Sequence, residues 1–366
     1  MTDDDTKRSS PILIWGAGAI GGTVGAFLAR AGHRVVFVDV VAEHVARIAA
    51  GELIIEGPIA SFSSGGTAMT PQQVHGQYDL ILLAVKSHHT EQAARALAPH
   101  LAADGAVVSL QNGLNELRIA DIVGRERTIG AFVNFSADWL APGRITYAAR
   151  SPLTIGELDA RTTPRIQALH RLLLDFEQDT HVTDNIFGYL WGKNAYATFL
   201  AVSALSNEQM PDFMQQARLQ PLIYALIREV LRVAVADGVQ PLGFQGYDPQ
   251  AFLSGDVRAM HDSLMANRAF KQRSTKKHSG YWRDLAVRKR ETDITAQLDP
   301  ARERAARHGV PMPLVDRMLA QIARIERREV EQGMHLVDEL LPLVPARFDP
   351  IAPAAMAPAA NRAAGA

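Results

Sequence analysis

Two kinds of hydrophobic pattern divide the chain. As far as about residue 180, short unbroken apolar runs alternate with segments of helical period, whereas from Asp184 to about Leu341 nearly everything has helical period. The first run, Ile12 to Trp15, stops at Gly16, Gly18 and Gly21. A helical segment follows to about Ala31, and a second run, Val35 to Val38, ends on Asp39. Unbroken runs of this kind suit strands of a parallel sheet covered on both faces. Ala42 to Ala50 predicts a short helix and Glu52 to Gly57 a strand, with Gly57-Pro58 turning the chain. Leu80 to Val85 predicts a further strand that runs into Lys86, Ser87, His88 and His89. After a helical segment, His89 to Leu101, the run Gly105 to Leu110 predicts another, ending in Gln111, Asn112 and Gly113. The alternation from Thr128 to Gly156 predicts strands that extend this sheet, with Pro142-Gly143 as a turn, and Thr163 to Phe176 predicts a helix. In the second half the amphipathic segments are Ile186 to Ser203, Leu219 to Asp237, His278 to His308 and Pro313 to Leu341, with Gly238 and Gly309 as helix stops.

Strand, glycine turn, helix, strand and acid together make a dinucleotide-site pattern. Gly16 permits the tight turn, Gly18 lets backbone approach a pyrophosphate, and Gly21 lets the helix pack closely on the sheet. The N–H groups at the helix start, around Ala19 and Ile20, then face the phosphates. Asp39 stands where a carboxylate accepts hydrogen bonds from the adenosine ribose diol, which leans toward NAD over NADP. Arg47, a turn or two further on, is a cation within reach of a 2′-phosphate. The competing reading is an ordinary glycine-rich turn followed by a solvated Asp. In open parallel sheets ligands sit beyond the carboxyl ends of the strands, and Lys86 and Asn112 fall on the same edge as the glycine turn. Without a ligand they would be a solvated loop lysine and a turn asparagine. The fold class expected is an α/β Rossmann domain over residues 11–182 followed by an all-α domain over 183–343, with residues 1–10 and the Ala- and Pro-rich stretch 344–366 disordered.

Composition narrows the chemistry. A chain of 366 residues is long enough for two cores, and 38 basic against 39 acidic residues leave no global field for nucleic acid or a membrane surface. The absence of cysteine excludes disulfides and thiolate nucleophiles or ligands. The polar, acidic start MTDDDTKRSS is unlike a secretory signal, and no apolar run reaches the length of a membrane span, so a cytoplasmic protein is expected. Between Lys271 and Arg290, eight Lys or Arg accompany Asp284 as the only acid. This stretch reads as a solvated face with one or two cations, from Arg283, Lys276 and Lys277, lining an anionic substrate pocket. His88, His89 and His278 lack an acid cluster at ligand spacing, and the adjacent pair should point apart, so no metal site is expected. The apolar-faced helices after residue 310 offer a surface for a homodimer.

Several pieces, in order and spacing, resemble the ketopantoate reductase (2-dehydropantoate 2-reductase) family over roughly residues 11–335. They are GAGAIGG, LLAVKSHHT, SLQNGLNE, APGRITY followed by IGEL, WGKNA, HSGYWRDLAVRKRETDI and HGVPMP. The resemblance implies hydride transfer between NAD(P)H and a 2-oxo acid, nominally 2-dehydropantoate, in pantothenate biosynthesis. It implies that Lys193, two residues after Trp191, protonates the carbonyl oxygen; a cationic donor beside a developing alkoxide suits that role. Lys86 corresponds to the family's lysine beside nicotinamide and substrate, and Asn112 to its asparagine in QNG. Glu116 falls on a loop position to which no role is assigned.

The chain departs from the family on the substrate side. Where the family shows Asn four and eight residues after the lysine, this chain has Ala197 and Ala201, with Asn194 and Tyr196 the nearest polar side chains. A family pattern close to S-M-x-x-D followed by T-E-I-D supplies a serine for the substrate carboxylate and a glutamate for its hydroxyl. Aligned on Asp284, Gly280 replaces that serine and Thr292 the glutamate. Aligned on TDIT, Asp293 becomes the acid at the cost of one inserted residue, with Ser279 the nearest hydroxyl. Asp293 is preferred, Glu291 is the alternative, and either reads otherwise as a helix charge paired with Arg288 or Lys289. Two further hypotheses stand beside ketopantoate reduction: a catabolic NAD-linked dehydrogenase for another hydroxy acid, and a dinucleotide-binding regulator without turnover.

Overall fold

The computed structural model describes residues 10–273 and 276–352. The disorder expected of residues 1–9 and 353–366 concerns segments outside that description. The chain divides into two compact units, one ending at Ile186 and the other beginning at Phe187.

In the first unit β1 (Ile12–Trp15), α1 (Ala19–Arg30) and β2 (Val35–Val38) are followed by α2 (Ala42–Ala49), β3 (Leu53–Glu56), β4 (Phe62–Ser64), β5 (Thr67–Met69) and β6 (Tyr78–Leu83). Then come α3 (Thr90–Leu97), β7 (Leu101–Ser109), α4 (Asn115–Val123), β8 (Thr128–Phe132), β9 (Ser136–Ala141), β10 (Arg144–Ala149), β11 (Leu153–Glu157), α5 (Pro164–Leu173) and β12 (Thr180–Val182). The main sheet runs β12-β11-β8-β7-β6-β1-β2-β5; β11 is antiparallel to β8 and the other pairings are parallel. Both faces are covered, which explains the unbroken apolar runs. Ile14, Phe37, Leu82 and Val108 join one core cluster, and Leu13, Val36, Ile81 and Val107 join the other. Of the strands expected to extend this sheet, β8 and β11 do so. β9 and β10 instead form a second sheet in the order β4-β3-β10-β9.

The second unit is helical. α6 (Ile186–Ser203) is apolar nearly all round and correspondingly buried, with Trp191 wholly enclosed. A side chain at Gly192 would meet the Leu242 carbonyl oxygen at 2.0 Å, so glycine lets α6 touch that loop. Next come α7 (Met210–Gln215), α8 (Gln220–Ala236), α9 (Pro249–Ser254) and α10 (Val257–Arg273). The single helix expected over 278–308 is interrupted. A turn at Gly280–Trp282 passes into a π-helical turn, Arg283–Val287, and Lys289 adopts φ 51° before α11 (Ile294–His308) starts. The helix expected from Pro313 to Leu341 ends at Glu326 as α12 (Pro313–Glu326), and α13 (Met334–Asp338) follows separately. The first part of the stretch expected to be disordered is bound to the unit. Buried Arg228 donates to the carbonyls of Phe252 and Asp349, and Ile351 N–H donates to Leu253 O at 2.8 Å. Helical period cannot reveal such contacts, because they are made by backbone carbonyls.

Candidate active site

Strand register sets the nucleotide edge of the first unit. Trp15 is level with Val38 and with Leu83, and Leu83 with Ser109, so the residues that follow β1, β2, β6 and β7 emerge along one edge. Gly16–Gly18, Asp39, Lys86 and Asn112 are those residues. The three glycines differ in the way the motif requires. Gly16 has φ +97°, and a Cβ there would lie 2.9 Å from Ala84 and Val85; at Gly21 it would meet the Gly16 carbonyl oxygen at 2.1 Å. At Gly18 it would meet nothing within 4 Å, leaving an open face at the helix start. The first N–H groups of α1, including those of Ala19 and Ile20, have no intrahelical acceptor, which suits an anion. The edge therefore fits a dinucleotide: close packing where helix meets strand, and space where a pyrophosphate must pass.

Asp39 is half-buried, and its Oδ1 accepts from the Val41 N–H at 3.0 Å, which orients the carboxylate. Val40 is 79% exposed beside it, so an apolar side chain stands next to the acid. Arg47 donates to Glu52 at 2.7 Å, an exposed pair further along the chain from Asp39.

Behind this edge lies a support absent from the sequence reading. His44 on α2 is 1% exposed; its Nδ1 accepts from Gly143 N–H and its Nε2 reaches the Ala17 carbonyl, both at 2.8 Å. The acceptor role of Nδ1 makes Nε2 the protonated nitrogen, so the ring ties the glycine loop to the β9–β10 turn. A second support joins the loops carrying Lys86 and Asn112. Ser87 Oγ donates to Asn112 O at 3.1 Å, and Asn115 Nδ2 donates to the same carbonyl at 2.6 Å and to Ser87 Oγ at 2.9 Å. Thr90 Oγ1 donates to Asn115 Oδ1 at 3.1 Å, and Gln111 Nε2 donates to Thr90 Oγ1 at 2.7 Å and to Val85 O at 2.8 Å. Lys86 is half-buried and Asn112 exposed at the rim of this network. Glu116, given no role from sequence, is wholly buried in the first turn of α4. His88 and His89 do not point apart: their rings meet edge to face at 4.0 Å. Among the described residues no three His, Cys, Asp or Glu side chains are grouped as a metal would need.

In the second unit Lys193 is half-buried on α6, and Leu200, seven residues on, is the next half-buried position. Between them Ala197 is 5% exposed, and Ala201 beyond is fully buried. Tyr196 does not replace the missing amides: its phenol is buried and donates to Asn267 Oδ1 at 2.8 Å. The Asn194 side chain is 1% exposed, and neither of its amide atoms has a partner among the described residues. Ser279 Oγ accepts from Trp282 N–H at 3.1 Å, so the hydroxyl caps the turn it begins. Tyr281 OH donates to Gln297 Oε1 at 2.7 Å, joining the turn after Ser279 to the first turns of α11, which Asp293 precedes. Burial, with the negative charge of Asp293 next in importance, keeps that phenol well above its ordinary pKa. Asp293 is not the partner of the arginines: buried Asp284 pairs with Arg288 at 3.1 Å and Arg290 at 2.9 Å. Thr292 is committed to Glu326, and Glu291 is exposed. Of the cations expected to line a pocket, Lys277 donates to the Gln272 carbonyl at 2.8 Å.

The comparisons agree with this division. The model of ketopantoate reductase PanE/ApbA matches residues 12–160, and that of its C-terminal domain matches residues 185–326. A 2-dehydropantoate 2-reductase of Pyrococcus abyssi is 28% identical over 63% of this chain and 75% of its own. The structure of a PanE/ApbA family ketopantoate reductase from Ralstonia eutropha is 26% identical, with TM-score 0.73 over 87% of this chain and 99% of that one. A D-mandelate dehydrogenase bound to NADH and anilino(oxo)acetate, 20% identical over 87% of this chain and 98% of its own, shares the fold at TM-score 0.73. With a nucleotide edge on an α/β unit, a helical unit bearing Lys193, and family models matching both, the chain belongs to the ketopantoate reductase family of NAD(P)H-dependent oxidoreductases acting on CH–OH groups.

Proposed function

We propose that this chain interconverts a 2-oxo acid and its 2-hydroxy acid with NAD(H), nominally 2-dehydropantoate and pantoate. The observation that carries the reading is Lys193, the one charged side chain of a largely apolar helix and on its least covered stripe, in the WGKNA segment that resembles the family's WxK motif. The bound nicotinamide supplies or takes the hydride. Lys193 donates a proton to the carbonyl oxygen as negative charge grows there, and removes it in the reverse direction. Lys86 and Asn112 orient the nicotinamide and substrate, and Ser279, whose hydroxyl proton is not used by its capping bond, donates to the substrate.

Asp293 holds the substrate hydroxyl. A π turn closes from residue i to i+5 and so holds one residue more than an α turn. The bond from Arg288 N–H to Arg283 O, 2.9 Å, is of this kind and supports the Asp293 alignment, which needs one inserted residue. For the cofactor, Asp39 with Val40 beside it favours NAD: a ribose diol finds an acceptor there, whereas a 2′-phosphate meets a carboxylate and an apolar side chain.

The test is NAD(P)H oxidation by 2-dehydropantoate. Turnover with NADH preferred is expected, with Lys193→Ala lowering kcat by about 10²-fold or more while NADH affinity stays within about twofold. Undiminished turnover in that variant would remove the assignment. A second reading, another 2-hydroxy acid on the same machinery, is favoured by the methyl groups of Ala197 and Ala201 where the family has amides. Inertness toward 2-dehydropantoate, with NAD reduced by another member of a hydroxy-acid panel, would select it.

A further inference from the structure

Lys271, in the last turn of α10, stands on an unusual footing. Its Nζ lies 5.5 Å from the centre of the Tyr196 ring and 5.9 Å from that of Phe270, and the residue is half-buried. No carboxylate among the described residues pairs with it, and burial alone draws its pKa down to about 8. The neighbouring cations on α10 are engaged with acceptors: Arg268 with the Pro211 carbonyl at 2.9 Å and Arg273 with the Ala269 carbonyl at 3.4 Å. An ammonium withdrawn from water and held only on ring faces is poorly compensated, and an anion would complete its surroundings.

Its position is specific. Tyr196 is anchored through its phenol to Asn267, one turn before Lys271 on α10, which holds the ring in place under the ammonium. Tyr196 is also one turn beyond Lys193 on α6, at the margin of the stripe that Lys193 shares with Leu200. In a 2-oxo acid the carboxylate is bonded to the carbonyl carbon itself. A group that receives it is therefore a near neighbour of the group acting on the carbonyl. Tyr196 is the side chain that links the two lysines: it lies one turn beyond Lys193 on α6 and under the ammonium of Lys271.

We propose that Lys271 binds the carboxylate of the substrate, supplying with a charge the recognition that Ala197 and Ala201 cannot supply with amides. The assignment rests on Lys193 acting on the carbonyl of a 2-oxo acid. The chemistry has a consequence for selectivity: a charged receptor distinguishes an acid from its ester far more strongly than a pair of amides does.

Lys271→Met and Lys271→Arg test it, each assayed at saturating NADH with the preferred 2-oxo acid and with its methyl ester. In Lys271→Met the KM for the acid should rise by about tenfold or more, while the KM for NADH and the rate on the ester stay unchanged. Lys271→Arg should recover most of the loss. An unchanged KM for the acid, or equal losses on acid and ester, would overturn the proposal. Absence of turnover on any acid would be a failure of the proposed function, and Lys271 is then read directly. In protein with carbon-13 dimethylated lysines, the resonance missing from Lys271→Arg should shift when 2-oxo-3-methylbutanoate is added to the NAD-loaded wild type, and a resonance that does not move refutes carboxylate binding. The same spectrum, taken on wild-type protein, decides the matter should Lys271→Met fail to fold.

Discussion

At Gly18 a methyl group has open space before it, whereas at Gly21 it strikes the Gly16 carbonyl. Two alanine substitutions three residues apart should therefore fail differently. Gly18→Ala should leave the thermal midpoint nearly unchanged but weaken NADH binding about tenfold or more, because the methyl occupies the approach to the pyrophosphate. Gly21→Ala should lower stability by about 1–3 kcal/mol before any ligand is added. Thermal melts with and without NADH separate the two; equal melting losses would contradict the account. His44 acts one step further back. His44→Leu removes both bonds that tie the glycine loop to the β9–β10 turn, and should raise the KM for NADH several-fold with kcat little changed. A fall in kcat at constant KM would show that the ring has another role. These residues mark the limits of what the sequence discloses. Gly16, Gly18, Gly21 and Asp39 lie within one stretch and carry their spacing with them. The two partners of His44 lie 27 and 99 residues away, and Lys271 meets Tyr196 from a different helix, so neither leaves a local signal.

Among the elements, α6 spans Ile186–Ser203 as expected, although it is apolar nearly all round where an amphipathic helix was expected. The segment 278–308 was not readable, because a π turn and the positive φ of Lys289 keep apolar residues at plausible helical spacings while breaking the helix. Alternation likewise did not separate β9 and β10, which build a second sheet and are only partly buried, from β8 and β11, which lie in the first and are buried throughout. The link between α8 and α12 carries a pH dependence. Glu229 is 4% exposed and accepts from the N–H groups of Leu314 and Val315 at 3.0 and 2.9 Å, and burial raises its pKa from 4.5 to about 7. The folded protein therefore holds a proton that the unfolded chain has lost over this range. Unfolding free energy should fall as pH rises from about 5 to about 7 through this group, and flatten above. Urea midpoints across that window, compared with Glu229→Gln, check it: the variant should lose this part of the slope.

Over the whole molecule, the sequence changes texture near residue 184 and the fold divides after Ile186; buried parallel strands and helices write different periods into a sequence. Among the described residues no helix is long and apolar enough to cross a membrane. The two units contribute different chemistry, a nucleotide edge from one and a lysine-bearing helix from the other, and the proposed reaction needs both. Deuterium carried at both positions of the reactive carbon of NADH reports on that reaction directly. The account predicts that, with 2-dehydropantoate or the 2-oxo acid the protein prefers, the label appears on the hydroxyl-bearing carbon of the product, and that Lys193→Ala binds the labelled cofactor but transfers almost none. Product without deuterium, or transfer unaffected by the loss of Lys193, would contradict it.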